Sequence, residues 1–463
     1  MLSRIRNLGV CWLAIVVVLL VGLPALTGTA GAQVTFTEEG GTLADGTRYG
    51  MRVPSNWNGT FIRDLDYASR VNDPRYFDML MRGYAVGGTA RHQRRWIGNY
   101  DPAREIRHLN TVLDLFADRF SIPERVIQYG CSGGGHVTLA VAEDFSDRVD
   151  GAIAWGAHTP VWFWNTMLDG WFVLKALLAP ELQIVDLPRE DGSFRPAYAP
   201  LVFAWRQVIN EAQKTSQGRA RLALAVTVAQ WPDWVDENVD NADRNDIAGL
   251  QQSMYETLYR FTDNIGGLSR FMFESAAQEQ LTQPSWNTGV DYRAFFENGN
   301  EFQKRAVRRL YEQADLDLGT DLDQVNAFPR ISADDEALEY WGAPGRNVRG
   351  NPQVPLLRIH DIGDTVLPVS QVQGYDDLVR ANGKDALYRT AFTNAGNHCG
   401  FTVAESAAAV ETMVRRLDTG RWGNTDPEAL NELARSLDRS STTRFISFDP
   451  YKVAKYNRTW IPD

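Results

Sequence analysis

The sequence predicts an α/β fold with a mostly parallel sheet, helices on both faces and one large, mostly helical insertion. Three observations point there. Short apolar runs alternate with amphipathic stretches toward both ends of the chain, the pattern of strands joined through crossover helices. Runs such as VDGAIAW (149–155) and VPLLRIHDIGD (354–364) contain a continuous apolar stretch instead of alternating, which suits strands buried on both faces. The alternation stops near Pro160 and resumes at Val354, so the sheet is interrupted once.

The elements follow in order. Arg4 and Arg6 precede an apolar run from Cys11 to Leu23, broken by Pro24, and Ala30-Gly31-Ala32 is a small-residue cleavage site. Residues 1–32 therefore read as a secretory leader, with the mature chain starting at Gln33 and leaving no stable membrane anchor. Residues 33–160 form the first part of the core. QVTFTEEGG, TRYGMRVP and NWNGTFIRDL read as extended runs, with Asn58-Gly59 as a turn between the last two. PRYFDMLMRG is a helix and YAVGGTA a strand. Ile106, Leu109, Leu113 and Phe116 line one face of a helix over 101–120. RVIQY (125–129) is a short strand, Gly133 to Phe145 a helix and 149–155 another strand. Residues 161–350 read as a helical lid over the sheet, rich in tryptophan. Residues 351–463 return to the core, with the strand at 354, the strand LYRTAFT and the helix VAESAAAVETMVRRL. The tail beyond about 421 shows no chemical motif.

Composition excludes some roles. A net charge of −11 leaves no basic footprint, so nucleic acid is not an expected partner. No segment after the leader is apolar enough to span a bilayer. Asp236, Asp240, Asp243 and Asp246 form an acidic run, but their spacing matches no calcium loop and reads as solvated surface.

The chemistry is concentrated in three loops. Gly130-Cys131-Ser132-Gly133-Gly134 fits G-x-S-x-G, set between the strand RVIQY and the helix that follows. In that setting the glycines avoid collision with neighbouring backbone, and Ser132 is presented as a nucleophile. A serine hydroxyl needs a base, which is usually a histidine held by a carboxylate. Asp364 follows the strand at 354 and is the expected acid, with Asp361 as its alternative. His398, in NAGNHCGFT, is the expected base. Chain order disfavours His92 and His108; His136 is expected to pack locally, and His158 and His360 lie near strand ends. Stabilising an oxyanion takes two backbone N–H groups. Gly133 is expected to supply one, and Asp66 or Tyr67 the other, which requires the Asp64 and Asp66 side chains to point elsewhere or take another role, such as binding a substrate hydroxyl. Cys131 precedes the nucleophile and Cys399 follows the base. If serine and histidine meet, these cysteines also come close enough to pair in an oxidising compartment.

Cys-Ser, a distant Asp, and His-Cys resemble the CS-D-HC arrangement of the tannase and feruloyl esterase family. The family also contains a hydrolase of a terephthalate monoester. That resemblance implies a secreted α/β-hydrolase with a lid inserted before the acid, Ser132, Asp364 and His398 as triad, and a Cys131–Cys399 bridge. The family's turn usually reads Gly-Cys-Ser-Thr-Gly-Gly, and Gly133 stands here in place of the threonine. NWNG, RGYAVGGTAR and HCGFTVAE look more like other secreted bacterial α/β-hydrolases. The expectation is an extracellular or periplasmic serine hydrolase of small-molecule esters, aromatic or phenolic first, and aliphatic esters or polyesters second. It needs no cofactor and no metal. The alternative is a peptidase or amidase using the same triad.

Overall fold

The computed structural model describes residues 34–93, 100–187, 198–265 and 282–449. The leader at 1–32 and the start at Gln33 lie outside them. The nine strands are β1 (Phe36–Thr42), β2 (Arg48–Pro54), β3 (Thr60–Asp64), β4 (Ala85–Thr89), β5 (Arg125–Cys131), β6 (Gly151–Trp155), β7 (Leu356–Asp361), β8 (Tyr388–Thr393) and β9 (Phe445–Ile446). They form one sheet in the order β1-β2-β4-β3-β5-β6-β7-β8-β9. All pairings from β4 through β3 to β8 are parallel; β1/β2, β2/β4 and β8/β9 are antiparallel. This is the α/β-hydrolase fold.

The strand order adds what the turn signal does not carry. Asn58-Gly59 does sit at a turn, with Gly59 at φ +84°. The flanking strands are not partners, however, because β4 lies between β2 and β3. A local turn signal does not reveal a strand inserted from further along the chain.

Alternate residues of each strand feed two cores, as the two-residue strand period requires. Phe61, Ala152, Ala154 and Leu356 face a core shared with α2 (Pro102–Arg119) and α3 (Gly133–Asp144). Ile62, Ile153, Trp155, Leu357 and Ile359 face α1 (Pro74–Met81) and α13 (Val403–Thr419) on the other side. Between β6 and β7 the described chain makes helices from α4 (Pro160–Leu178) to α11 (Asp335–Gly342), and no strand. Trp164, Trp171, Trp205, Trp231 and Trp341 are buried there. Trp171 packs at a tilt against Trp205 and Trp231, at ring separations of 5.4 and 5.8 Å. Most of the tryptophans that hinted at an aromatic-binding lid are thus interior packing of the insertion.

The tail adds α14 (Pro427–Leu437) and β9. The C-terminal ends of β3, β5, β7 and β8 come together at one edge of the sheet. In an open α/β sheet that edge is where ligands bind.

Candidate active site

β5 ends at Cys131 and α3 begins at Gly133, leaving Ser132 alone at the turn with φ +60° and ψ −123°. A positive φ on a residue with a side chain is strained, and here it lifts the hydroxyl off the end of the sheet. The turn is pinned at both ends. Ser132 N–H donates to Trp155 O at 3.1 Å, and Ser132 O accepts from His136 N–H at 2.9 Å. A Cβ on Gly130 would sit 2.6 Å from the Gly134 carbonyl, so that glycine is required. A Cβ on Gly134 would meet nothing nearer than 3.7 Å, whereas one on Gly135 would lie 2.5 Å from Trp155 O. The second tight glycine is therefore Gly135, one residue beyond the motif.

Asp364 and His398 are joined as the sequence predicts. His398 Nδ1 lies 2.8 and 3.0 Å from the two Asp364 oxygens. Asp364 also accepts backbone N–H groups from Val366 and Leu367, each at 2.8 Å. Burial raises the carboxyl's pKa, but the His398 charge and hydrogen bond outweigh it and hold the pKa below the ordinary value. An ionised Asp364 can only accept, so Nδ1 carries the proton and Nε2 is left free as a base. Burial lowers the His398 pKa, yet the Asp364 charge and hydrogen bond lift it above 6.5. Asp361 is used differently. It accepts from the Thr393 hydroxyl and from Gly400 N–H, and burial pushes its carboxyl up to about 7. It braces the histidine loop and makes no hydrogen bond to the ring.

Ser132 and His398 line one cavity of about 460 Å³, with Cys131, Cys399, Asp66, Ser69, Arg70 and Arg91. Cys131 and Cys399 are bonded across it, their Cα atoms 6.1 Å apart. A larger cavity of about 830 Å³ touches the acid and histidine loops at Thr365, Val366, Gly396 and Asn397, but Ser132 does not line it.

On the oxyanion side, Asp66 N–H is spent on Asp64 at 2.9 Å. Among the described residues no acceptor takes the Tyr67 N–H, and Tyr67 is not among the residues that line the cavity. The Tyr67 ring itself is buried against Tyr76. Asp64 accepts the Tyr76 hydroxyl at 2.8 Å, and its carboxyl is raised to about 6 by burial and the Asp66 charge. Asp66 accepts two bonds from Arg91, each 2.6 Å, from Nε and Nη2. Both side chains are taken up by partners that sequence reasoning did not name, while Asp66 still lines the cavity with Ser132. Arg91 closes the stretch RGYAVGGTAR, whose pattern assigns it no chemical role. The only signal was the small Gly133, since a Cβ there would lie 2.9 Å from Arg91 Nη1.

Among the described residues, none of the other histidines hydrogen-bonds Asp364, although His360 Nε2 lies 4.0 Å from one of its oxygens. His92 and His108 both approach Asp45. His136 is fully buried, with its pKa driven down to about 3 by burial. His158 stacks on His136 at 5.0 Å, and His360 is hydrogen-bonded to Leu367 O at 3.1 Å. In the acidic run, Asp236 pairs with Arg260 and Asp246 accepts the first N–H groups of α7 (Ile247–Ile265).

The insertion and the tail also support the site. Trp234 packs where a Cβ on Gly363 would stand, 2.7 Å away, and the Asp236–Glu237 backbone does the same at Gly396. From the tail, Arg444 donates to Gly400 O at 2.7 Å and pairs with Glu405 and Glu237.

A parallel sheet carrying serine, acid and histidine loops at one edge, in that chain order, defines a hydrolase of the α/β-hydrolase fold. The particular family follows from sequence. The chain belongs to the family of the o-phthalyl amidase of Xanthobacter agilis, with which it is 49% identical over 449 residues, covering 93% of this chain and 98% of that protein. No family model matches. Among solved structures it is distantly similar to feruloyl esterase B from Aspergillus oryzae, at 14% identity and a TM-score of 0.35, covering 84% of this chain and 81% of that one. An esterase from Pyrococcus furiosus is similar at 12% identity and a TM-score of 0.35, covering 90% of this chain and 96% of that one. Among the described residues, no helix is long and apolar enough to cross a membrane.

Proposed function

We propose that this chain hydrolyses amides whose acyl part is an aromatic acid of the phthalyl type, through a covalent acyl-serine. The observation that carries the reading is the 49% identity to an o-phthalyl amidase, sustained over nearly the whole of both chains. It moves the amidase reading ahead of the ester reading that the sequence motifs favoured. Ser132 Oγ attacks the amide carbon while His398 Nε2 takes its proton. The oxyanion is held by the N–H groups of Gly133 and Tyr67. His398 returns the proton to the departing amine, leaving an acyl-serine. It then activates water to release the acid. Asp364 keeps the imidazole oriented and stabilises its charged form. In this proposal the insertion is the lid, a reading supported by the packing of Trp234 and the Asp236–Glu237 backbone on the acid and histidine loops. Export is part of the proposal, supported by the leader-like first 32 residues and by the disulfide.

The test compares the 4-nitroanilide of phthalic acid with methyl ferulate and 4-nitrophenyl butyrate, using Ser132→Ala as blank. Cleavage of the anilide, lost in the variant, is the expected result. Activity confined to methyl ferulate would restore the aromatic-ester reading suggested by the CS-D-HC motif. Equal rates in variant and wild type would remove Ser132 from the mechanism.

A further inference from the structure

We infer that Arg91, held in place by Asp66, binds a carboxylate on the ring carbon next to the one bearing the scissile carbonyl. The inference rests on the phthalyl reading above and assigns the group that would recognise its second acid. In a phthalic monoamide that acid lies immediately beside the reacting carbon. Its receptor must therefore stand at the nucleophile and not on a distant wall.

Arg91 stands there. Its Nη2 lies 3.4 Å from the carbonyl oxygen of Cys131, the residue before the nucleophile. Its Nη1 occupies the space above Gly133, the residue after it. Asp66 engages Nε and Nη2 in a bidentate clamp. Among the described residues nothing accepts from Nη1, so both of its N–H bonds remain for a ligand. The clamp also orders the guanidinium before substrate arrives, which lowers the entropy lost on binding.

The charge balance of the cavity agrees. Among the described residues its lining carries two guanidinium groups, Arg70 and Arg91, against the single carboxylate of Asp66. The pocket is thus locally cationic in a chain of net charge −11, and one bound carboxylate would neutralise it. Arg70 is exposed at the rim; Arg91 has only 18% of its side chain exposed. A charge-assisted bond to a partly buried guanidinium discriminates more strongly than a rim contact.

Gly133 gives the idea a second handle. A side chain there would push against the clamped guanidinium, so the glycine keeps room for Arg91 at the turn.

The experiment measures kcat/KM for the 4-nitroanilides of phthalic, terephthalic and benzoic acids, with Ser132→Ala rates subtracted to remove the ortho acid's own intramolecular assistance. Wild-type enzyme, Arg91→Gln and Gly133→Thr are compared. Wild type should prefer the ortho acid to the other two by roughly tenfold or more. Arg91→Gln should lose most of that preference, chiefly through KM, and Gly133→Thr should lose it in the same direction. An unchanged ortho-to-benzoic ratio in Arg91→Gln overturns the assignment, as does equal wild-type activity on the ortho and para acids. If Arg91→Gln does not fold by circular dichroism, Gly133→Thr and the wild-type ratio decide. If no anilide is cleaved, the amide reading fails, and the same ratios on the 4-nitrophenyl monoesters judge Arg91 separately.

Discussion

Removing the Cys131–Cys399 bond should affect both stability and rate, and the two effects are separable. The bond spans 268 residues of sequence, including the whole insertion. In the chain-entropy model a cross-link closing a loop of that length disfavours the unfolded state by roughly 5 kcal/mol. Natural domains are stable by only about 5–15 kcal/mol, so this is a large share. The bond also joins the neighbour of the nucleophile to the neighbour of the base, and a displacement of about 1 Å at such groups costs about 100-fold in rate. The perturbation is Cys131→Ala with Cys399→Ala, made together so that no free thiol remains. Denaturant unfolding followed by tryptophan fluorescence measures the first effect. The rate of anilide or ester cleavage, taken well below the unfolding midpoint, measures the second. We expect a midpoint lowered by several kcal/mol equivalents and kcat down at least tenfold. An unchanged midpoint would refute the cross-link argument. A lowered midpoint with unchanged kcat would confine the bond's effect to the unfolded chain and refute its positioning role.

Other expectations follow from the same geometry. Asp364→Asn should lower kcat by about 10⁴, because the carboxylate that holds the Nδ1 proton is gone; Asp361→Asn should cost far less, and similar losses would reverse the assignment. The acid limb of kcat/KM should have its midpoint above pH 6.5, since Asp364 lifts His398 and only the neutral ring acts as base; the limb should move lower in Asp364→Asn, and a wild-type midpoint below 6.5 would contradict the pairing. The same pairing fixes a stability trend: the raised His398 pKa gives stability that is present below pH 6.5 and lost as pH rises through the folded value. Gly130→Ala should destabilise the fold by about 1–3 kcal/mol, as its Cβ would meet the Gly134 carbonyl at 2.6 Å; a urea midpoint equal to wild type would show that the turn can relax.

Much of this was legible in the sequence because it rests on local signals. Continuous apolar runs marked β5, β6 and β7, and amphipathic spacing marked α2. The nucleophile turn, the acid loop and the histidine loop each carry their own residue pattern. What stayed hidden depends on contacts between distant segments. The placement of β4 between β2 and β3 has no local signature. The partner of the Asp66 side chain, Arg91, is 25 residues away at the end of a stretch whose pattern says nothing of that contact. The tail offered nothing chemical, yet Arg444 ties it to the Gly400 carbonyl beside the base.

These hidden contacts share one physical consequence. The acid and histidine loops are short and glycine-rich, so they carry little packing of their own. Gly363 and Gly396 let the insertion's Trp234 and Asp236–Glu237 backbone press directly on them. Arg444 and Asp361 hold the histidine loop at Gly400 from two sides, one through its carbonyl and one through its N–H. The disulfide fixes its remaining side to the nucleophile turn. In the proposed mechanism, catalytic geometry is therefore set by an insertion, a tail strand and a cross-link converging on loops that the parallel sheet alone would leave loosely held. Substitutions far from Ser132 in sequence, such as those at Trp234 or Arg444, act on the same few atoms as those beside it.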